Sequence, residues 1–169
     1  MKDVLTIVGI ALLAAVLGAA IILYGPSRAT APTVLDTPPA GTPVAATVLS
    51  QGAQSAVSAR TNYLITSGSE LRALWQMLST NDPVPSVDFS QSDVIALFAG
   101  TEPSAGYVIS TPAVLDSSSE RLVEVQIAKP GVSCLAAQKQ TAPYVVVLLP
   151  KSSLPLSHRD TATTTSCLQ

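Results

Sequence analysis

Ser104 is the first residue to weigh, because "GTEPSAGYVIS" (residues 100–110) places a serine in a polar turn between two apolar runs. A serine nucleophile on a strand-to-helix elbow needs a glycine two positions before it, and Glu102 stands there. It also needs a general base within hydrogen-bond reach. The chain has a single histidine, His158, far along the sequence in "PLSHRD", and no S-x-x-K motif offers a lysine instead. Metal chemistry fares no better. One histidine and two distant cysteines do not make a usual zinc site. Asp82, Asp88 and Asp93 lack the alternate-residue spacing of a calcium loop and read as turn and capping residues. No glycine-rich phosphate loop occurs. The expectation is a non-enzymatic protein without cofactor or metal. The 104–107 stretch then reads as a corner between strands, with Ser104, Gly106 and Tyr107 forming a candidate contact loop presented by a rigid scaffold.

Charge excludes another class. Nine Lys and Arg residues are scattered over 169 positions, and the net charge is −2. Nucleic-acid binding requires clustered phosphate-neutralising cations, so none is expected. Cys134 and Cys167 leave two options open. In an oxidising compartment they bridge and staple the C-terminal segment to the domain; otherwise they are two thiols.

The elements that must position these residues fall into four parts. Residues 1–24 contain the uncharged run Val4–Tyr24, 21 residues long. At about 1.5 Å per residue it is about 31 Å as a helix, the thickness of a bilayer's hydrocarbon core. It is longer than the apolar region of a cleaved signal peptide and reads as a single transmembrane anchor. The sparse flanking charges favour the amino end inside and the rest extracytoplasmic. Residues 25–43, with five prolines, read as an extended linker. Residues 44–152 read as a β-rich domain, and residues 153–169 as a Thr-rich tail.

Within the domain, Ser67 and Glu70 have capping-box spacing, followed by Leu71, Leu74, Trp75 and Leu78 on one helical stripe. Asp93–Ala99 and Tyr144–Leu149 are apolar on both faces, as central strands are. Arg121–Lys129 alternates, with Val123, Val125 and Ile127 on one face. Pro112 inside the run 107–115 predicts an edge or bulge. The pattern gives an α+β fold: a mostly antiparallel sheet or small sandwich with one packed amphipathic helix, preceded by a single transmembrane helix.

The order of these motifs resembles the PrcB C-terminal domain family over about residues 60–151. A capped helix with a central Trp is followed by Val87, Asp88, Phe89 and Ser90, which match the family's "VDF" turn. Gly106 and Tyr107 match its "GGY", and Pro143 and Tyr144 match the "PY" before the last strand. Ala105 departs from the pattern, standing where the family has the first glycine of "GGY". The family is named for a non-catalytic subunit of a bacterial surface protease complex. That subunit is a lipoprotein, whereas this chain carries the apolar run and no cysteine near its end. The resemblance implies an accessory role beside a protease.

Three functional expectations follow. The first is a membrane-anchored, extracytoplasmic, non-catalytic domain that binds or stabilises a partner protein, such as a protease. The alternative is a small-ligand or cell-envelope-binding module, which calls for a groove joining Trp75 and Tyr107. The third, an enzyme, lacks the groups it needs.

Overall fold

The computed structural model describes residues 41–167. The expected transmembrane anchor and all but the end of the expected linker lie outside the described residues. Among the described residues no helix is long and apolar enough to cross a membrane.

The described residues form eight strands and one helix, in chain order β1 Thr42–Pro43, β2 Thr47–Gly52, β3 Thr61–Ile65, α1 Gly68–Met77, β4 Ser92–Phe98, β5 Val108–Asp116, β6 Arg121–Pro130, β7 Tyr144–Pro150 and β8 Leu156–Thr165. They form two four-stranded sheets, ordered β1-β5-β6-β8 and β2-β7-β4-β3. All pairings are antiparallel except β6 with β8.

Two apolar clusters explain the layering. Ile95, Leu97, Val145, Val147 and Leu149 from one sheet pack against Ile109, Val114, Val123 and Val125 from the other. The alternate residues of the same central strands, Val94, Ala96, Phe98, Tyr144 and Val146, pack against Leu71, Leu74 and Trp75 of α1. Strands β4 and β7 are therefore covered on both faces, which is why their sequences are continuously apolar. The helix begins as its capping box dictates. Ser67 Oγ accepts from Glu70 N–H at 3.3 Å, while the Glu70 carboxylate reaches back to Thr66 N–H at 2.8 Å.

Two expectations are corrected. The Thr-rich segment expected as a tail is largely strand β8, ten residues long and paired in parallel register with β6 from Arg121↔Leu156 to Pro130↔Thr165. Its threonines favour extended backbone, but it carries too few apolar residues to give a hydrophobic alternation. The folded region also begins earlier than Val44, because Thr42 and Pro43 at the end of the expected linker pair with Asp116 and Leu115. Pro112 does sit at a break in register, between Ser110 and Ala113 of β5.

Gly100 ends the edge-to-corner path after β4. Its φ is +85°, and a Cβ there would lie 2.8 Å from Arg60 N and 3.0 Å from Ser58 O. Only glycine lets the 58–60 segment run this close. Gly100→Ala is expected to lower stability by about 2 kcal/mol, from left-handed backbone strain plus backbone crowding. Urea unfolding at neutral pH checks this.

Candidate functional site

The corner after Gly100 is anchored from both sides. Glu102 and Thr141 exchange backbone hydrogen bonds of 2.8 and 3.0 Å. Thr141 Oγ1 donates to Ser104 O at 2.9 Å, and Ala105 N–H donates to Ala137 O at 2.9 Å. Gly106 makes the turn with φ +89°, and Pro130 lies against the position a Cβ would take. No non-glycine residue among those described has positive φ. Ala105 thus carries no left-handed strain, and the departure from "GGY" is absorbed by the second glycine.

Ser104 is buried, and its hydroxyl donates to the neighbouring Ala105 carbonyl at 3.3 Å. His158 pairs in register with Val123, and about 23 Å of strand separates Val123 from Pro130 beside Gly106. The two are not brought together as nucleophile and base. Burial pushes the Glu102 carboxyl above its ordinary range. Among the described residues no group of three or more His, Cys, Asp or Glu side chains could hold a metal.

The corner is joined by residues remote in sequence. Cys134 and Cys167 form a disulfide. It fixes the loop after β6 to the end of β8, where Gly131 N–H already donates to Thr165 O at 2.9 Å. Ala105, Gly106, Pro130, Cys134, Leu135 and Thr165 line a shallow, mostly apolar depression of about 250 Å³. Beside it, Val132 and Leu135 are fully exposed. Gly106 of the expected contact loop thus shares one surface with the cysteines. Tyr107 is half-buried and borders a separate hollow with Gln51 and Val108. Sequence reasoning missed Val132 and Leu135. Two apolar residues in a loop of small and polar neighbours were the available signal.

The remaining motif residues serve the fold. Asp88 Oδ1 accepts from Ser90 N–H at 2.9 Å and Ser90 Oγ at 2.7 Å, closing a turn and lowering its carboxyl pKa. Val87 and Phe89 pack on the helix-side core. Pro143 O accepts from Ala99 N–H, and Tyr144 is buried against Phe98. Trp75 is buried too, with its indole N–H donating to Asp82 O at 3.0 Å. A groove joining it to Tyr107 is not among the described cavities.

The architecture defines a β-rich domain of two sheets with a helix on one outer face, ending in a disulfide-fastened tip. Within it, residues 94–150 match the model of the PrcB C-terminal family. The matched stretch runs from β4 through β7, so it contains Gly106–Tyr107 and Pro143–Tyr144, while Val87–Phe89 and the Trp-bearing helix precede it. No curated protein and no solved structure matches the chain.

Proposed function

We propose that this chain is a membrane-tethered, extracytoplasmic, non-catalytic domain that binds a partner protein through the tip formed by residues 104–107, 130–137 and 165–167, as an accessory subunit of a protease complex. The observation that carries this reading is the pair Val132 and Leu135, held in solvent by a disulfide-closed loop beside an apolar depression. Large apolar side chains fixed in solvent beside a hollow favour a protein contact. The match to the PrcB C-terminal family supports a protease-related partner. The disulfide supports an oxidising location.

The placement of the tip supports the same reading. The chain joins the folded region at Thr42, beside Asp116 at the far end of β5 from Val108. Nine residues of β5, about 30 Å, lie between that point and the tip. A tether at Thr42 leaves the tip free to meet a partner.

Photo-crosslinking in native membranes tests this. A benzophenone amino acid at position 132 or 135 is expected to give one adduct of the same mass, and the same probe at exposed Val48 on β2 none. Leu135→Asp is expected to reduce recovery of that partner about tenfold. Equal adducts from all three positions, or none from the tip, would defeat the reading.

A further inference from the structure

A sheet edge can pair with a strand from another chain, and folded proteins guard their edges against it. The two sheets end in β1 and β8 and in β2 and β3. All but one of these edges are guarded. Strand β1 is two residues long and ends in Pro43. Strand β2 is broken by a register shift between Val48 and Ser50. Strand β8 carries Arg159 and Asp160 side by side. Strand β3, Thr61-Asn62-Tyr63-Leu64-Ile65, has no proline, no charge and no break in its register with β4. Its Tyr63 and Leu64 side chains are 40% and 49% exposed.

The ladder fixes which backbone groups of β3 are free. Lys151 N–H donates to Gln91 O before β4, and Ala99 N–H donates to Pro143 O after it. The odd-numbered residues of β4 therefore turn their backbone groups toward β7. The even-numbered Val94, Ala96 and Phe98 turn theirs toward Ile65, Tyr63 and Thr61. Asn62 and Leu64 are left with N–H and C=O directed outward, unpaired among the described residues. Side chains alternate as well. Asn62 and Leu64 stand opposite Leu97 and Ile95 and share the inner face, while Tyr63 lies on the helix side, edge-on to Phe98 at 5.8 Å. Beside Leu64 the margin between β3 and β8 is open. A cavity of about 440 Å³ there is lined by Ile95, Leu97 and Val123, with Leu156 on its β8 side. The ionic groups of this margin serve one another: Arg60 donates twice to Asp160 at 2.8 Å, and His158 lies 3.9 Å from the same carboxylate. What the margin offers a partner is apolar surface and backbone hydrogen bonds.

We propose that β3 pairs antiparallel with β3 of a second copy of this chain, joining the two helix-bearing sheets edge to edge. The strand is self-complementary about Tyr63. A two-fold axis there sets Asn62 opposite Leu64 of the second copy and Leu64 opposite its Asn62, so the outward N–H and C=O groups meet in hydrogen-bonded pairs. Tyr63 meets Tyr63 of the second copy in the close, non-hydrogen-bonded pair between them, where aromatic cross-strand contact adds stability. On the inner face the two Leu64 side chains become diagonal neighbours and close over the mouths of the two cavities. No like charges oppose each other, since Thr61–Ile65 is uncharged. The size of the margin sets the strength. Five residues of β3 span about 17 Å, and the sheets stack about 10 Å apart. That is well short of the roughly 800 Å² per partner of a standard interface, so the dimer is weak, with a Kd on the order of 50 µM. This surface is separate from the tip, and either can fail without the other.

Light scattering of the full-length chain in detergent micelles tests the inference. The chain is expected to be monomeric at about 1 µM and mostly dimeric at about 500 µM. Leu64→Lys, which puts a charge on the paired edge, is expected to weaken the dimer at least about tenfold. Leu135→Asp is expected to leave it unchanged, with both variants melting like the parent at about 1 µM. Two further readouts stand apart from these variants. Tyr63→Cys adds the one thiol outside the Cys134–Cys167 bridge, and a non-hydrogen-bonded pair holds its Cα atoms about 4.5 Å apart. Air oxidation at about 500 µM is therefore expected to link two copies through position 63, with at least about tenfold less product from Val48→Cys on β2. In the parent chain, amide exchange at Asn62 and Leu64 is expected to slow as the concentration rises over the same range. A monomer at the higher concentration, a dimer indifferent to Leu64→Lys, equal disulfide yields at positions 63 and 48, or exchange at Asn62 and Leu64 independent of concentration would each overturn the proposal.

Discussion

Arg121→Met is expected to lower the stability of the folded domain by about 3 kcal/mol at neutral pH, a drop of about 10 °C in Tm. Arg121 is 5% exposed and opens β6. Its Nε and Nη2 donate to the Asp116 carboxylate at 2.7 and 2.8 Å, and Nη1 donates to Pro150 O at 2.6 Å. One side chain thereby ties the β5–β6 hairpin of one sheet to the end of β7 in the other. Methionine keeps an apolar stem of similar length, so the loss reports the polar contacts rather than packing. It leaves the Asp116 carboxylate and the Pro150 carbonyl without this donor. Removing one partner of a fully buried pair costs about 3–5 kcal/mol, and Asp116 keeps some access to water, which sets the lower end of that range.

The same pair fixes a pH signature. Hydrogen bonds from Arg121 hold the Asp116 carboxyl below its ordinary value of 3.8. The folded-state value is depressed, so this stabilisation is fully present above the unfolded value and is lost as pH falls through the lower folded one. The deficit of Arg121→Met should be largest at neutral pH and should shrink in acid below that range. Chemical unfolding of both proteins at pH values on either side of 3.8 measures it. A deficit that is the same at both would place the effect in packing and not in the ion pair.

The parts of the fold legible in the sequence are those where local chemistry and burial agree. The helix announces itself through Ser67, Glu70 and the Leu71–Leu74–Trp75 stripe, and all of these do locally what their spacing demands. Strands β4 and β7 are legible because burial on two faces leaves uninterrupted apolar runs. Strand β8 is not, since it lies at a sheet edge and puts His158 and Asp160 on its inner face, where a strand pattern would ask for apolar residues. His158 borders the opening between β3 and β8, and Asp160 is paired with Arg60. The tip was legible only in pieces. Gly106 can be read as a turn residue, but its neighbours Pro130, Leu135 and Cys167 come from chain segments up to 61 positions away, and spacing along the chain carries no trace of that meeting. Arg60 and Asp160, whose ion pair joins the segment before β3 to β8, are 100 positions apart.

Removing the Cys134–Cys167 bridge, as the double variant Cys134→Ala/Cys167→Ala, is expected to lower stability by about 3–4 kcal/mol. The bridge spans 33 positions, and on the chain-entropy model a closed loop of that length restricts the unfolded chain by about this amount. In the folded state the effect should be local. The β6–β8 ladder extends over ten register pairs from Leu156 to Thr165, and only its last pairs adjoin the bridge. Without it, two backbone bonds of 2.9 Å, from Gly131 N–H to Thr165 O and from Ala105 N–H to Ala137 O, hold the 131–137 loop to the rest of the domain. Each such hydrogen bond contributes about 1 kcal/mol, less than the cost of ordering the residues between them, so Val132 and Leu135 lose their one arrangement. The double variant should therefore lose tip crosslinking at positions 132 and 135 while the β6–β8 pairing around His158, near the opposite end of β8, stays intact. Thermal melts, crosslinking yield and amide hydrogen exchange along β8, on the same preparation, separate these effects. Crosslinking that survives at the parental level would mean that the loop is held by its own packing and that the bridge only stabilises the chain. Loss of exchange protection near Leu156 along with the tip would show that β8 responds as one unit along its whole length.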